Sequence, residues 1–335
     1  MSLTSPLFPR LSPENQVLLN KLERQRKMLF RKKLSWILLL PVSIVFGGLI
    51  YLLLQFTHTL ENLAGLSLLI PLLFLIAGAL WISFAFPDEE GMNDVYRKTI
   101  LPFLVKDVLH GWSSASEHHL SLEEIKGTGL FKDLANEAIK EDYFSGPAGK
   151  TIVKIFEINL RLHALRKVHN TRSSSAGYEE EITNRFYGYF SFFSPVQYFN
   201  SRCWIFPRQK RVKGETDDWA MITEENFAKT MNALPATGYA PFDEQFVIFS
   251  EHPELTMREL SDSILESIVQ AETIFAGVSA FSFNGKSLYV MTGFEEDPLN
   301  IVKGLRINEY ELENNHRDEL LKMQAFAETL ARPFS

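Results

Sequence analysis

The sequence predicts an α+β protein in two parts: an N-terminal two-helix transmembrane hairpin, followed by a soluble domain built on an antiparallel sheet with flanking helices. Three observations carry that prediction. Two long runs, Leu34–Leu60 and Asn62–Pro87, hold no Lys, Arg, Asp or Glu. Beyond them, several segments rich in aromatic and β-branched residues alternate with period two, the spacing of strands. An Asn284-Gly285 pair also lies between two such segments, where a tight hairpin turn belongs.

Residues 1–33 read as a basic cytoplasmic N-terminal segment. Eight basic side chains stand there against Glu14 and Glu23, a net charge of +6. The hairpin covers 34–86, with spans at 34–56 and 63–86. At about 1.5 Å rise per residue each reaches roughly 34–36 Å, enough for a hydrocarbon core of about 30 Å. Thr57–Asn62 between them has room only for a tight turn. A secretory signal is excluded, because the first run is too long for one and no small-residue cleavage site comes after it. A buried soluble hairpin is the competing reading, and such helices carry a polar stripe that these runs lack. Neither span holds an ionisable residue, which suits an anchor better than a channel or transporter. Positive flanks stay inside, so both termini are expected in the cytoplasm, with Trp36 and Trp81 near the same interface.

Residues 87–142 read as a helical juxtamembrane region. Asn93–Val108 has helical spacing that Pro102 must kink or divide. Ser121-Leu122-Glu123-Glu124 has the form of a capping box, and Gly127 and Gly129 limit the helix it caps to a short one. Lys132–Glu141 reads as helix.

The α+β cytoplasmic domain is placed at 143–300. Thr151–Asn159 is expected as a strand, Thr171–Glu181 as an exposed polar loop, and Arg185–Phe193 and Gln197–Phe206 as aromatic strands. A short helix over Glu224–Leu234 stops at Pro235. Glu244–Phe249 is a strand, and Thr256 caps a helix running to Phe275. Val278–Thr292 is the hairpin, with a type I′ turn at Asn284-Gly285 and φ > 0 at Gly285. A C-terminal helix fills most of 301–335, from Asn308 to Ala331.

Charge and motifs bound the function. The chain carries 41 acidic and 34 basic side chains, a balance unsuited to nucleic acid, and one cysteine, Cys203. With −7 overall, +6 before the first span and Glu61 between the spans, residues 88–335 carry −12. Gly146–Thr151 is reminiscent of a P-loop, yet Phe144 stands where the motif needs glycine and a strand comes next where it needs a helix. His118 and His119 are adjacent and diverge. His163 and His169 fit no zinc spacing. Cys203 lies in an apolar strand, as an inert buried thiol does. No catalytic, cofactor or metal residue is assigned. Arg208, Lys210, Arg211 and Lys213 form a basic cluster that can contact lipid headgroups or a partner's acidic face, against the plainer reading of a solvated loop.

Five segments carry a family resemblance: Gly129-Leu130-Phe131, Glu141-Asp142-Tyr143-Phe144-Ser145-Gly146, Phe186–Phe190, Phe242–Phe249 and Ser282–Val290. Their order and spacing, over roughly residues 92–294, resemble a bacterial domain-of-unknown-function family of two-span membrane proteins with a cytoplasmic α+β domain. The resemblance implies the bacterial inner membrane as location and brings no catalytic residues. Taken together, these readings lead to the expectation of a membrane-anchored interaction or regulatory module with the lipid bilayer and a protein partner or second copy as partners. An enzyme using carboxylates such as Asp142 and Glu157, or a small subunit of a larger membrane assembly, are the alternatives.

Overall fold

The computed structural model describes residues 13–56, 72, 75–81, 89–115, 119–131, 135–169, 176–208, 218–275, 277–294, 298–299 and 309–335. The chain divides into two compact units. One comprises Met1–Ile100 with Asn300–Leu312, the other Leu101–Leu299 with Glu313–Ser335.

In the first unit, helix α1 (Pro13–Phe56) runs 44 residues and touches α2 (Glu89–Thr99). The predicted transmembrane hairpin is corrected here: among the described residues, no helix is long and apolar enough to cross a membrane. The apolar run does not start an element of its own at Leu34. It continues a helix whose first half holds the charged stretch Lys21–Lys33, and in that half Arg26 is buried against Glu23 at 3.0 Å. Apolarity of the run dictated helix without dictating where the helix begins. The turn at 57–62 and most of the second span lie outside the described residues.

The second unit is α+β. Helix α3 (Leu101–Val108) begins after a break at Ile100, as the ring of Pro102 requires. Among the described residues the strands are β1 (Ser113–Ala115), β2 (Glu137–Ala148), β3 (Thr151–His169), β4 (Ala176–Ser194), β5 (Phe199–Pro207), β6 (Phe246–Ser250), β7 (Val278–Gly285) and β8 (Ser287–Gly293). They form one sheet in the order β1-β2-β3-β4-β8-β7-β5-β6, every neighbouring pair antiparallel. The helices of this unit are α4 (Leu122–Gly127), α5 (Asp218–Ala228), α6 (Ala240–Asp243), α7 (Pro253–Glu259), α8 (Asp262–Glu272) and α9 (Glu309–Ala331), the last entering from the first unit.

Alternation puts a hydrophobic set on each face. Phe156, Ile158 and Leu160 share one face with Phe186, Phe190 and Met291, and that face carries a core closed by Ile125, Leu130, Phe131 and Phe227. On the opposite face Tyr189 meets Phe275 and Phe294, and Phe193 meets Phe326 of α9.

Five readings change in this unit. The helix expected over Glu224–Leu234 is α5, which starts at Asp218 and ends at Ala228. Residues 137–141, expected as helix, open β2. Residues 176–181, expected as loop, open β4, while 171–175 lie outside the described residues. The helix from Thr256 is two helices broken at Leu260, whose ψ of 90° is not helical, and Thr256 is buried with its hydroxyl on Ser250. The hairpin turn is shifted by one residue. Asn284 pairs with Ser287, so Gly285 and Lys286 are the central pair, with Gly285 at the expected positive φ, 60°, in the first position. The β4–β5 link passes this turn, Val196 N donating to Lys286 O at 3.0 Å, and carries β5 past the β7–β8 hairpin. The glycine-lysine pair at 149–150 is the turn between β2 and β3, as a plain β-turn reading has it.

Candidate functional site

The face that carries Phe156 ends in a pocket of about 420 Å³. Its floor comes from strand register. Tyr143 of β2 is paired with Phe156 of β3, Phe156 with Phe190 of β4, and Phe192 of β4 with Tyr289 of β8. Paired residues point to the same face, so four neighbouring strands build one row of rings. The centroids are 4.9 Å apart for Tyr143–Phe156, 6.2 Å for Phe156–Phe190, 6.2 Å for Phe190–Tyr289 and 5.3 Å for Phe192–Tyr289. Lys154, two residues before Phe156 on the same face, is half-buried with its ammonium 5.9 Å from the Phe192 centroid. No ion pair holds it among the described residues.

Helix α4 makes the far wall. Its capping box is complete: Glu124 N donates to Ser121 Oγ at 3.1 Å, and Ser121 N donates to Glu124 Oε2 at 2.6 Å. The loop after it is tied to the sheet. Thr128 O accepts from Trp204 Nε1 at 2.8 Å and from Ser282 Oγ at 3.0 Å, and Gly127 O accepts from Arg202 at 2.7 Å. Thr128 is therefore fixed to the sheet by two buried hydrogen bonds, and this wall of the cavity is preformed. His119 is at its rim, while His118 lies outside the described residues.

The two carboxylates that the sequence offers to an enzyme do come together. Lys140 pairs with Ile158 and Tyr143 with Phe156, so a bulge sets Glu141 and Asp142 opposite Glu157. Glu157 also accepts from the Tyr187 hydroxyl. Asp142 is 5% exposed and Glu157 0%, so a substrate has no direct approach to either. Among the described residues, no cluster of His, Cys, Asp and Glu is placed to hold a metal ion. Cys203 is buried, and burial pushes its thiol up to about 12, which keeps it protonated and inert at neutral pH.

The far half of the β3–β4 hairpin is an arm. Pairing of β2 with β3 stops at Arg161, and pairing of β4 with β8 starts at Gly188. Among the described residues, Ala164–His169 and Ala176–Phe186 pair in the sheet only with each other, Tyr187 O still accepting from Phe294 N at 2.9 Å. Asn136 closes the β2 ladder by imitating one more residue: its Nδ2 donates to His163 O at 2.9 Å, and His163 N donates to its Oδ1 at 2.8 Å. The His163 ring then bridges Glu180 at Nδ1 and Glu137 at Nε2, each at 2.8 Å. Hydrogen bonding to Glu180 first, and to Glu137 second, raises its pKa above 6.5. Whatever stability the bridge contributes is present below pH 6.5 and is lost as pH rises through the folded-state value. A proton NMR titration of the His163 ring should give a pKa above 6.5 that moves back toward 6.5 in Glu180→Gln. An unmoved value in that variant would refute the bridge.

Of the basic cluster, only Arg208 is described. Its backbone N donates to Gln245 O at 2.6 Å and its Nε to Phe246 O at 2.6 Å, so it finishes the β5–β6 ladder. Lys210, Arg211 and Lys213 lie outside the described residues. Comparison with known protein families, with curated proteins and with solved structures finds no match to the chain.

Proposed function

We propose that this protein is an interaction module and that the β3–β4 arm is the surface it offers to a second copy of the chain. The arm itself carries the reading. Beyond His163 and Tyr187 its outer backbone edges pair with no other strand among the described residues, and Leu165 and Ile182 stand 74% and 53% exposed on the face they share with His163. Unpaired edges with apolar side chains are templates for strand addition. The two edges differ in charge. Strand β3 brings Arg161 to its half of the arm, and β4 brings Glu180 and Glu181. Joining β3 of one copy to β4 of the next sets unlike charges together. Joining like strands opposes like charges, which costs stability in a cross-strand pair.

Light scattering on the full chain tests this. Mass should rise with concentration and fall with added salt, and Leu165→Asp with Ile182→Asp should leave a monomer of unchanged thermal stability. A wild-type protein that stays monomeric at about 100 μM, some tenfold above a Kd of about 10 μM (roughly −7 kcal/mol), overturns the reading.

A further inference from the structure

We infer that the pocket beside Lys154 binds a small planar aromatic monoacid, its ring lying on Phe192 and Tyr289 and its anionic group on the Lys154 ammonium. This goes beyond the arm and does not depend on it.

Four features converge. The cavity of about 420 Å³ falls in the range of small-molecule sites, about 300–1,000 Å³. Its floor is the half-buried pair Phe192–Tyr289, with centroids 5.3 Å apart and 40° between ring planes, backed by the buried rings of Phe190 and Phe156. An aromatic floor prefers a flat ring in offset or tilted stacking over an aliphatic chain of equal area. Lys154 is a half-buried cation with no ion pair among the described residues, held beside the Phe192 face. An acid of the ligand gives that ammonium the charge-assisted bond it lacks. The opposite wall carries Glu124, whose Oε2 is held in the α4 cap. A carboxylate in that wall repels a second acid on the ligand.

Aromatic rings with a lysine on a sheet also hold single-stranded nucleic acid. A polyanion here would meet residues 88–335 at a net −12, which opposes binding that depends on phosphate neutralisation. A compact acid that enters the cavity meets Lys154 at short range and feels little of that distant charge.

The probes are 2-naphthoate, its neutral counterpart 2-naphthamide, and 2,6-naphthalenedicarboxylate, each titrated into the full chain by calorimetry. Naphthoate should bind about tenfold tighter than the amide, the usual gain for a hydrogen bond to a charged group. The dicarboxylate should bind more weakly than naphthoate. Lys154→Met keeps the apolar stem and removes the charge, so it should bring naphthoate down to the amide's affinity and leave the amide unchanged. Tyr289→Ala should weaken both. Equal affinities of acid and amide for the wild-type chain, an acid preference that survives Lys154→Met, or no binding of either probe at about 5 mM, where a site with a Kd of about 1 mM (roughly −4 kcal/mol) is mostly filled, would overturn the assignment. If Lys154→Met does not fold, the wild-type comparison of the three probes still decides it.

Discussion

Replacing Gly188 with alanine should be among the costliest additions of a methyl group to the sheet unit. Gly188 lies in β4 at the first rung of the β4–β8 ladder, opposite Gly293, and between Ile158 and β8. A Cβ there would fall inside the van der Waals shell of the Thr292 carbonyl oxygen and 2.9 Å from Gly293 Cα. Both obstacles are backbone, so neither can swing aside as a side chain does. Relief requires β8 to move from β4, and β8 carries Tyr289 and Met291 of the central core. Overpacking costs typically about 1–3 kcal/mol, and a clash with fixed backbone belongs at or above the top of that range. For a unit of this size, this lowers Tm by roughly 6–12 °C. Thermal unfolding by circular dichroism reads it directly. A Tm within about 2 °C of wild type would mean that β4 and β8 do not approach as closely as described. Gly188→Val should not fold.

Some of this architecture is legible in the sequence because the signal is local. The capping box at Ser121 acts within four residues, and its two hydrogen bonds are there. Pro102 divides a helix by its own ring. Alternation from Thr151 announces β3, and the aromatic run 185–193 announces β4. Where the signal is tertiary, it fails. Residues 137–141 (Glu, Ala, Ile, Lys, Glu) are good helix formers, yet β3 offers them a ladder, and context overrides propensity. The predicted span failed likewise: an apolar run says helix, and the charged stretch before it belongs to that same helix.

The pocket was invisible for a different reason. Alternation tells which side chains share a face of one strand and says nothing about which strands are neighbours. Phe192 and Tyr289 meet because β8 inserts beside β4, while β5, next in sequence, lies beyond β7. Lys154 and the rings of its own strand were available from period two alone. Their juxtaposition with Thr128 and Tyr289 required the strand order.

The same dependence makes Phe227 the most consequential side chain outside the sheet. It is fully buried on α5, and its ring lies 4.7 Å from Trp204, 5.4 Å from Phe206 and 5.8 Å from Phe249, counted between centroids. Truncating it to alanine removes the transfer energy of a whole ring and leaves a cavity between α5 and β5, a loss of about 3–5 kcal/mol. Phe227→Leu fills most of that space and should cost less than about 1.5 kcal/mol. Urea unfolding of the full chain, monitored by fluorescence, should show the midpoint falling for Phe227→Ala with the slope unchanged. The effect should also reach the ligand pocket. Trp204, freed on its Phe227 side, is the residue whose Nε1 fixes Thr128 O in the pocket wall. Phe227→Ala should therefore weaken 2-naphthoate and 2-naphthamide alike under conditions where the variant is still folded, since it loosens a wall and leaves the Lys154 charge in place. A loss below about 1 kcal/mol, against the roughly 3–5 expected for a buried ring, would show that α5 is held to the sheet by something other than this ring.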